Sequence, residues 1–249
     1  MPDPYTQSIR LAWRPELRFY EQRVSILKSF EDEGVLRAFR VQENFVDARL
    51  FETRDLLTVR QDGLELWLAT PDADGDRAWG AVEVALACVK PALARSMHVF
   101  FQHLAPLDMP FESAIKGAYG RLLGSLGTPG IRFDDWSLLA DLEMTWTPPA
   151  AGQMEFGVVR GTEVIDRLTR QAGRTGVAQR PPDAWVHAQF PDVALFSDCQ
   201  FSAAANPSQE LGKQARNFWG GAREETGRLV GVLQKMIGDA DDRGVTTHE

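Results

Sequence analysis

The chain has 249 residues, of which 44% are hydrophobic and 25% are charged, a composition typical of a folded globular protein. Its formal net charge of −8 argues against a protein that wraps DNA or RNA, because such proteins usually present a basic face. The sequence has neither an apolar run of about 18 residues nor a charged leader followed by an apolar stretch. We therefore expect a cytoplasmic protein without a membrane partner.

The first third of the sequence predicts a strand, a helix, three strands and a second helix. Residues 8–19 alternate weakly, as a strand does, and helical spacing of apolar residues begins at Tyr20 and ends at Gly34. Residues 35–41 are ambiguous. Further strands are predicted at about 44–51, 56–61 and 64–70, followed by a helix over 77–89.

The clearest local signal is the hairpin made by the last two of those strands. Asp62-Gly63 is a dipeptide typical of two-residue hairpin turns. With these two residues as the turn, Arg60 lies opposite Glu65. Trp67 then lies on the opposite face of the sheet from the leucines around it, so its ring is either exposed or covered by another element.

The second half of the sequence repeats this kind of pattern. A strand over 96–104 precedes a helix over 111–123, and alternation predicts strands at 138–146 and around Met154 to Val158. A short helix over 162–171 and two strands, 185–190 and 193–201, follow. A long last helix is expected to begin at Pro207, with Asn206 as its N-cap.

These elements predict the α+β class. We expect two duplicated β-α-β(3-4)-α halves, residues 1–92 and 93–238, forming antiparallel sheet(s) with helices packed on one face. The halves share no residue-level identity, so the internal duplication is a prediction from topology alone. The architecture is similar to the TATA-binding-like fold, with the helix-grip fold as the second analogy. The acidic residues 239–249 are expected to form a disordered tail.

Several segments together resemble a sporadically distributed bacterial family of similar length and unknown function. The segments are ELRF at 16–19, the hairpin at 51–66, the helix led by Trp79, HLAPLD at 103–108, ALFSDCQFSA at 194–203 and the glycine-rich last helix from Asn217. The chain departs from that family at RSMHVFFQHL, where an arginine- and tyrosine-rich strand is usual. The resemblance implies a two-lobed α+β binding protein without known catalytic residues.

The sequence offers few candidates for chemistry, and we predict no catalytic residue, no metal and no cofactor. His98 and His103 are five apart on one strand, so they point to opposite faces and cannot share a metal ion. Cys88 and Cys199 are expected to be buried free thiols. An enzyme with a site assembled from distant residues is not excluded, although a non-catalytic protein is favoured.

One surface and one pocket are the candidate binding sites. A local excess of positive charge predicts an anion or partner surface, which Trp67 would join if it were exposed; the arginines are Arg160, Arg167, Arg170, Arg174 and Arg180. A pocket between the sheet and the last helix would be lined by Met144, Trp146, Phe156 and Phe218.

The predicted function is that of a non-catalytic interaction or regulatory protein that binds a protein partner or itself. The first alternative is a small-molecule or lipid binder that uses the pocket between the sheet and the last helix. The second is nucleic-acid binding on the open sheet face, which requires Arg160 to Arg180 to share a face with Arg10, Arg14 and Arg18.

Overall fold

The computed structural model describes residues 4–50, 55–68, 75–122, 131–134, 137–144, 150–174 and 189–238. These residues form ten strands and five helices. The strands are β1 Pro4–Trp13, β2 Leu36–Val41, β3 Phe45–Leu50, β4 Asp55–Arg60, β5 Gly63–Leu68, β6 Ala94–Pro106, β7 Ile131–Asp134, β8 Ser137–Met144, β9 Ala150–Arg160 and β10 Val193–Ala204. The helices are α1 Arg18–Asp32, α2 Gly75–Val89, α3 Phe111–Leu122, α4 Gly161–Arg174 and α5 Leu211–Gly238.

The described strands form a single antiparallel sheet in the order β2-β3-β4-β5-β1-β6-β10-β9-β8-β7. The α+β class is therefore confirmed. The strand order is symmetric about the central β1–β6 pair. β5, the last strand of the predicted first half, lies beside β1, and β10, the last strand of the predicted second half, lies beside β6. The proposed duplication and the two fold analogies stay predictions.

The main core lies between the sheet and four helices. Side chains alternate along each strand, so one face is apolar, and α1, α2, α3 and α5 pack on that helix-covered face. Two tryptophans, Trp79 of α2 and Trp219 of α5, meet edge to face with ring centroids 5.6 Å apart. Phe101 of β6 lies beneath Trp219 with its centroid 6.4 Å away. The longest helix, α5, thus packs on the central strands β1, β6 and β10.

One helix lies on the other face, which we call the outer face. Val164 and Leu168 of α4 pack there against Val159, Phe196 and Trp67 in a second, smaller cluster. The expectation that all helices pack on one face is therefore wrong for α4. The physical reason is that these strands carry apolar residues on both faces, and the outer ones need a cover.

The β4–β5 hairpin has a different register from the predicted one. Arg60 lies opposite Gly63, so Gln61 and Asp62 form the turn. A Cβ at Gly63 would lie 2.5 Å from the carbonyl oxygen of Leu11, so this position needs glycine for close strand approach. The register is shifted by two residues, which keeps every side chain on its predicted face.

The last helix starts four residues later than predicted. Asn206 accepts a hydrogen bond at Oδ1 from the backbone N–H of Ser208 at 3.0 Å, but the helix begins at Leu211. The intervening loop is held by the buried side chain of Gln214, whose Nε2 donates to the carbonyl oxygens of Asn206 and Gln209 at 2.8 and 2.9 Å. These loop contacts replace the predicted cap.

The structure also contains two strands that the sequence pattern left ambiguous or did not predict. The ambiguous segment 35–41 contains strand β2, and β7 is a strand that the pattern did not predict. The tail 239–249 and most of the predicted strand 185–190 lie outside the described residues. Within the described helices, none is long and apolar enough to cross a membrane.

Candidate functional site

A row of polar and charged side chains crosses the outer face of the sheet. Each member is the direct cross-strand partner of the next, from the β2 edge to β10. We call this set the polar row; in spatial order it consists of Arg40, Asp47, Thr58, Glu65, Arg10, His98 and Ser202. Cross-strand neighbours of this kind interact directly, so the row is a connected surface.

The end of the polar row nearest β2 is held by an ion pair. Nη2 of Arg40 lies 2.6 Å from Oδ2 of Asp47, and Nε of Arg40 donates to the same oxygen at 3.1 Å. Thr58 donates from Oγ1 to Oδ1 of Asp47 at 2.8 Å. Both carboxylate oxygens are therefore engaged, and the negative charge of Asp47 is neutralised within the row.

The middle of the polar row contains a nearly buried carboxyl group. Glu65 is only 8% exposed and lies opposite Thr58 and Arg10. Burial raises the pKa of Glu65, and the guanidinium groups of Arg10 and Arg60 lower it in part. The exposed Arg10 therefore lies opposite a largely desolvated acid.

His98 has hydrogen bonds at both ring nitrogens. Nδ1 lies 2.9 Å from Oγ of Ser202 and Nε2 lies 3.0 Å from Oγ of Ser96. Partial burial, and then the nearby charge of Arg10, lower the pKa of His98 below its ordinary value of 6.5. The ring is therefore neutral at neutral pH, and it is fixed in orientation beside the exposed Arg10 and Ser202.

A second polar group lies beside the row and is buried. Thr6 of β1, Gln102 of β6 and Asp198 of β10 are cross-strand neighbours on the outer face, and all three are at most 2% exposed. The hydroxyl of Thr6 donates to Oε1 of Gln102. Gln200, the next outward-facing residue of β10, is exposed. One accessible part of this face therefore lies around Arg10, His98, Gln200 and Ser202.

The predicted arginine surface is not brought together on this face. Arg160 lies on the helix-covered side, with its guanidinium 3.8 Å from the ring centroid of Phe111 and 3.4 Å from Oε1 of Glu112. Arg160 is therefore on the opposite side of the sheet from Arg10, contrary to what the nucleic-acid alternative requires. The ring stack and α3 hold it there.

The remaining predicted arginines belong to α4 or lie beyond it. Arg167 is half-buried in α4, and Arg170 and Arg174 lie in its last turns. Arg180 is outside the described residues. Trp67 is only 6% exposed because α4 and Phe196 cover it, so the alternative that its ring is an exposed binding feature is wrong.

Two of the four predicted pocket residues fall in the packed core. Phe156 and Phe218 are buried in the main cluster between the sheet and the helices. Met144 ends β8, and Trp146 is outside the described residues. A groove of about 340 Å³ does exist elsewhere, between the end of α2 and the start of α5, and Glu83, Gln209 and Glu210 are among its lining residues.

The cysteines and histidines show no catalytic arrangement among the described residues. Cys199 is completely buried, and burial raises the pKa of its thiol well above the usual range, so the thiol stays protonated. Cys88 is half-buried, and both cysteines are free. His98 and His103 do point to opposite faces, as predicted, since His103 contacts α5. In the described part of the chain, no cluster of three His, Cys, Asp or Glu residues is arranged to hold a metal ion.

The polar row is the feature that sequence reasoning missed. Its members lie on seven strands spread over most of the chain, so only the register of the whole sheet brings them together. No protein-family model matches this chain, and a search of curated proteins found no match. The family resemblance stays a prediction, and a functional proposal rests on the geometry of the sheet face.

Proposed function

We propose that this chain is a non-catalytic binding protein whose partner is another protein, docked on the outer face around Arg10, His98 and Ser202. The observation that carries the proposal is the part of the polar row where the exposed Arg10, His98 and Ser202 are direct cross-strand partners on adjacent strands. Side chains held by neighbours lose little freedom on binding, which favours specific recognition.

The hydrogen bonds of the row support a specific partner over a nonspecific one. His98 is bonded at both ring nitrogens, and Arg10 lies beside the nearly buried Glu65. A partner on this face therefore meets an imidazole ring whose orientation is already set by hydrogen bonds. Such preset polar groups determine the register and orientation of a protein–protein complex.

The charge pattern favours a protein partner over nucleic acid. Within the polar row, Arg40 is paired with Asp47, and Arg10 lies next to Glu65. A nucleic acid backbone binds to cations that are not neutralised by the protein itself. The formal net charge of −8 adds long-range repulsion, while alternating charge suits a protein surface of mixed sign.

The pocket alternative has less support. Phe156 and Phe218, which would line it, pack into the main core with the other helix-side residues. The groove between α2 and α5 combines apolar residues such as Leu86 and Pro207 with Glu83, Gln209 and Glu210, and it lies away from the site proposed from sequence.

A retention experiment with surface variants tests the proposal. Tagged wild-type protein, Arg10→Glu and Gln200→Arg are expressed in the native host, purified gently and examined by quantitative native mass spectrometry. Lys116→Glu, on the exposed side of α3, is the matched charge-reversal control. We expect a defined protein mass with the wild type and with Lys116→Glu, reduced at least about tenfold in both sheet-face variants.

The same experiment has clear contrary outcomes. Equal retention by all four proteins would place the interface elsewhere. A bound nucleic acid that is lost with Arg10→Glu would replace the protein partner with the nucleic-acid alternative, and a bound small molecule in all four would favour a pocket. Circular dichroism melting of each variant shows whether the fold is kept.

A further inference from the structure

Strand β2 is at one edge of the sheet and is unusually open. Five of its six residues are exposed, and β3 is its only neighbouring strand in the described sheet. Two of the exposed residues are large and apolar: Phe39 is 63% exposed and Val41 is 40% exposed. Edge strands usually carry charged residues or proline that oppose pairing; β2 has Arg37 and Arg40, but it also exposes this apolar pair, which a second strand would cover.

At these same two residues, the backbone N–H and C=O groups of β2 point away from β3. Gln42 donates its N–H to the carbonyl oxygen of Phe45 at 2.9 Å, which makes this pair a hydrogen-bonded pair of the β2–β3 hairpin. Hydrogen-bonded and non-hydrogen-bonded pairs alternate along an antiparallel ladder. Ala38 and Arg40 therefore bond toward β3, while the N–H and C=O groups of Phe39 and Val41 point away from the sheet.

We propose that β2 pairs antiparallel with β2 of a second copy of this chain, about a two-fold axis at Phe39. Phe39 then lies opposite Phe39 of the second copy, and each exchanges both of its outward backbone hydrogen bonds with the other. Ala38 lies opposite Arg40, and Val41 lies opposite Arg37. The two exposed rings form a cross-strand aromatic pair, which is among the more stabilising pairs in sheets.

The side chains of β2 favour this register over the two registers with the axis one residue to either side. Moving the axis to Arg40 would place two arginines directly opposite each other, which destabilises a strand pair. Moving it to Ala38 would place Phe39 opposite Arg37, and Val41 opposite Val35, which lies outside β2. With the axis at Phe39, Arg40 keeps its ion pair with Asp47 and faces only the methyl group of Ala38.

A dimer of this kind is an isologous one, because the same surface is used on both copies. It joins two ten-stranded sheets into one continuous sheet of twenty strands. The contact is a single strand pair, so we expect an affinity in the micromolar range, on the order of 10–100 µM. The inference is independent of the partner proposed for the outer face.

Cysteine cross-linking tests the register directly. In a Cys88→Ser background, where only the buried Cys199 remains, Phe39→Cys places two thiols on the axis at a Cα separation of about 5.5 Å, within disulfide range. Val41→Cys is the matched control, because position 41 faces position 37 and not itself. We expect Phe39→Cys to give at least about tenfold more disulfide dimer than Val41→Cys under mild oxidation.

Sedimentation of the reduced protein supplies the second measurement. Wild-type protein is expected to change from monomer to dimer with concentration, and Phe39→Asp to stay monomeric up to about 0.5 mM. Val232→Asp, at another exposed apolar position on α5, is expected to dimerise like the wild type. The proposal is overturned if the wild type stays monomeric, if Val232→Asp abolishes the dimer as Phe39→Asp does, or if Val41→Cys cross-links as well as Phe39→Cys.

Discussion

Nε2 of His103 lies 3.0 Å from Oγ1 of Thr226, and both side chains are fully buried between β6 and α5. This bond ties the central strand to the longest helix. Thr226→Val keeps the side-chain shape but removes the hydroxyl, so we expect the free energy of unfolding to fall by about 1–3 kcal/mol. Thr226→Ser keeps the hydroxyl and is expected to cost about 1 kcal/mol or less. Urea denaturation measures both; a serine variant less stable than the valine variant would contradict the role of the bond.

Gly63 and Gly220 predict opposite effects of the same substitution. A Cβ at Gly63 would lie 2.5 Å from the carbonyl oxygen of Leu11, while a Cβ at Gly220 has no atom within 4 Å. We expect Gly63→Ala to destabilise the protein by about 2–4 kcal/mol, because β5 must move away from β1. Gly220→Ala, in an exposed helix position, should stabilise it by up to about 1 kcal/mol. Thermal melting of the two variants side by side gives the signs, and equal shifts would refute the steric argument.

Glu65 predicts a pH dependence of stability. Burial raises the pKa of Glu65 above its ordinary value of 4.5, so the folded protein binds this proton more readily than the unfolded chain does. The free energy of unfolding therefore decreases as the pH rises from about 4.5 through the folded pKa, and this loss persists at neutral pH. Glu65→Gln removes the loss, so its stability relative to the wild type should be greater at pH 7 than at about pH 4.

Chemical denaturation at a series of pH values measures that difference. Glu21→Gln, which removes an exposed carboxyl group on α1, is the control. A Glu65→Gln effect that is the same at every pH would show that the burial of the charge is not its cause.

Phe218 distinguishes a packed core from a pocket. The side chain is completely buried among the main cluster of helix-side residues. Phe218→Ala is expected to lower the free energy of unfolding by about 3–5 kcal/mol, because it leaves a cavity in close-packed surroundings. A ligand-lining residue would instead be replaceable with little loss of stability. Unfolding curves that show a loss below about 1 kcal/mol would restore the pocket alternative.

Much of the fold follows from the sequence because periodicity is a local property. The apolar spacing from Tyr20 to Gly34 gave α1, and Gly34 ends it with a φ of +68°, as a C-terminal glycine does. The predicted hairpin register was wrong by two residues, because a glycine such as Gly63 is compatible with two different structural roles. It is typical of a turn, but here it allows close approach to Leu11.

The candidate site follows much less from the sequence. The apolar stripe of α4 predicts a helix but does not say which face of the sheet it covers, so the burial of Trp67 stayed open. The polar row depends on the pairing of strands that are distant in sequence, such as Glu65 with Arg10 and His98 with Ser202. Local patterns carry no information about such pairings, because register is determined by packing of the whole sheet.

The position of β10 has a consequence for how the chain folds during synthesis. β10 lies between β6 and β9, although it is the last strand described in the chain, so β6 has a free edge until residues 193–204 leave the ribosome. At roughly 5–20 residues per second, the delay after Pro106 is on the order of 5–20 seconds. During that time the backbone N–H and C=O groups along one edge of β6 have no partner strand, so a chaperone that shields this edge would protect the nascent chain from mispairing.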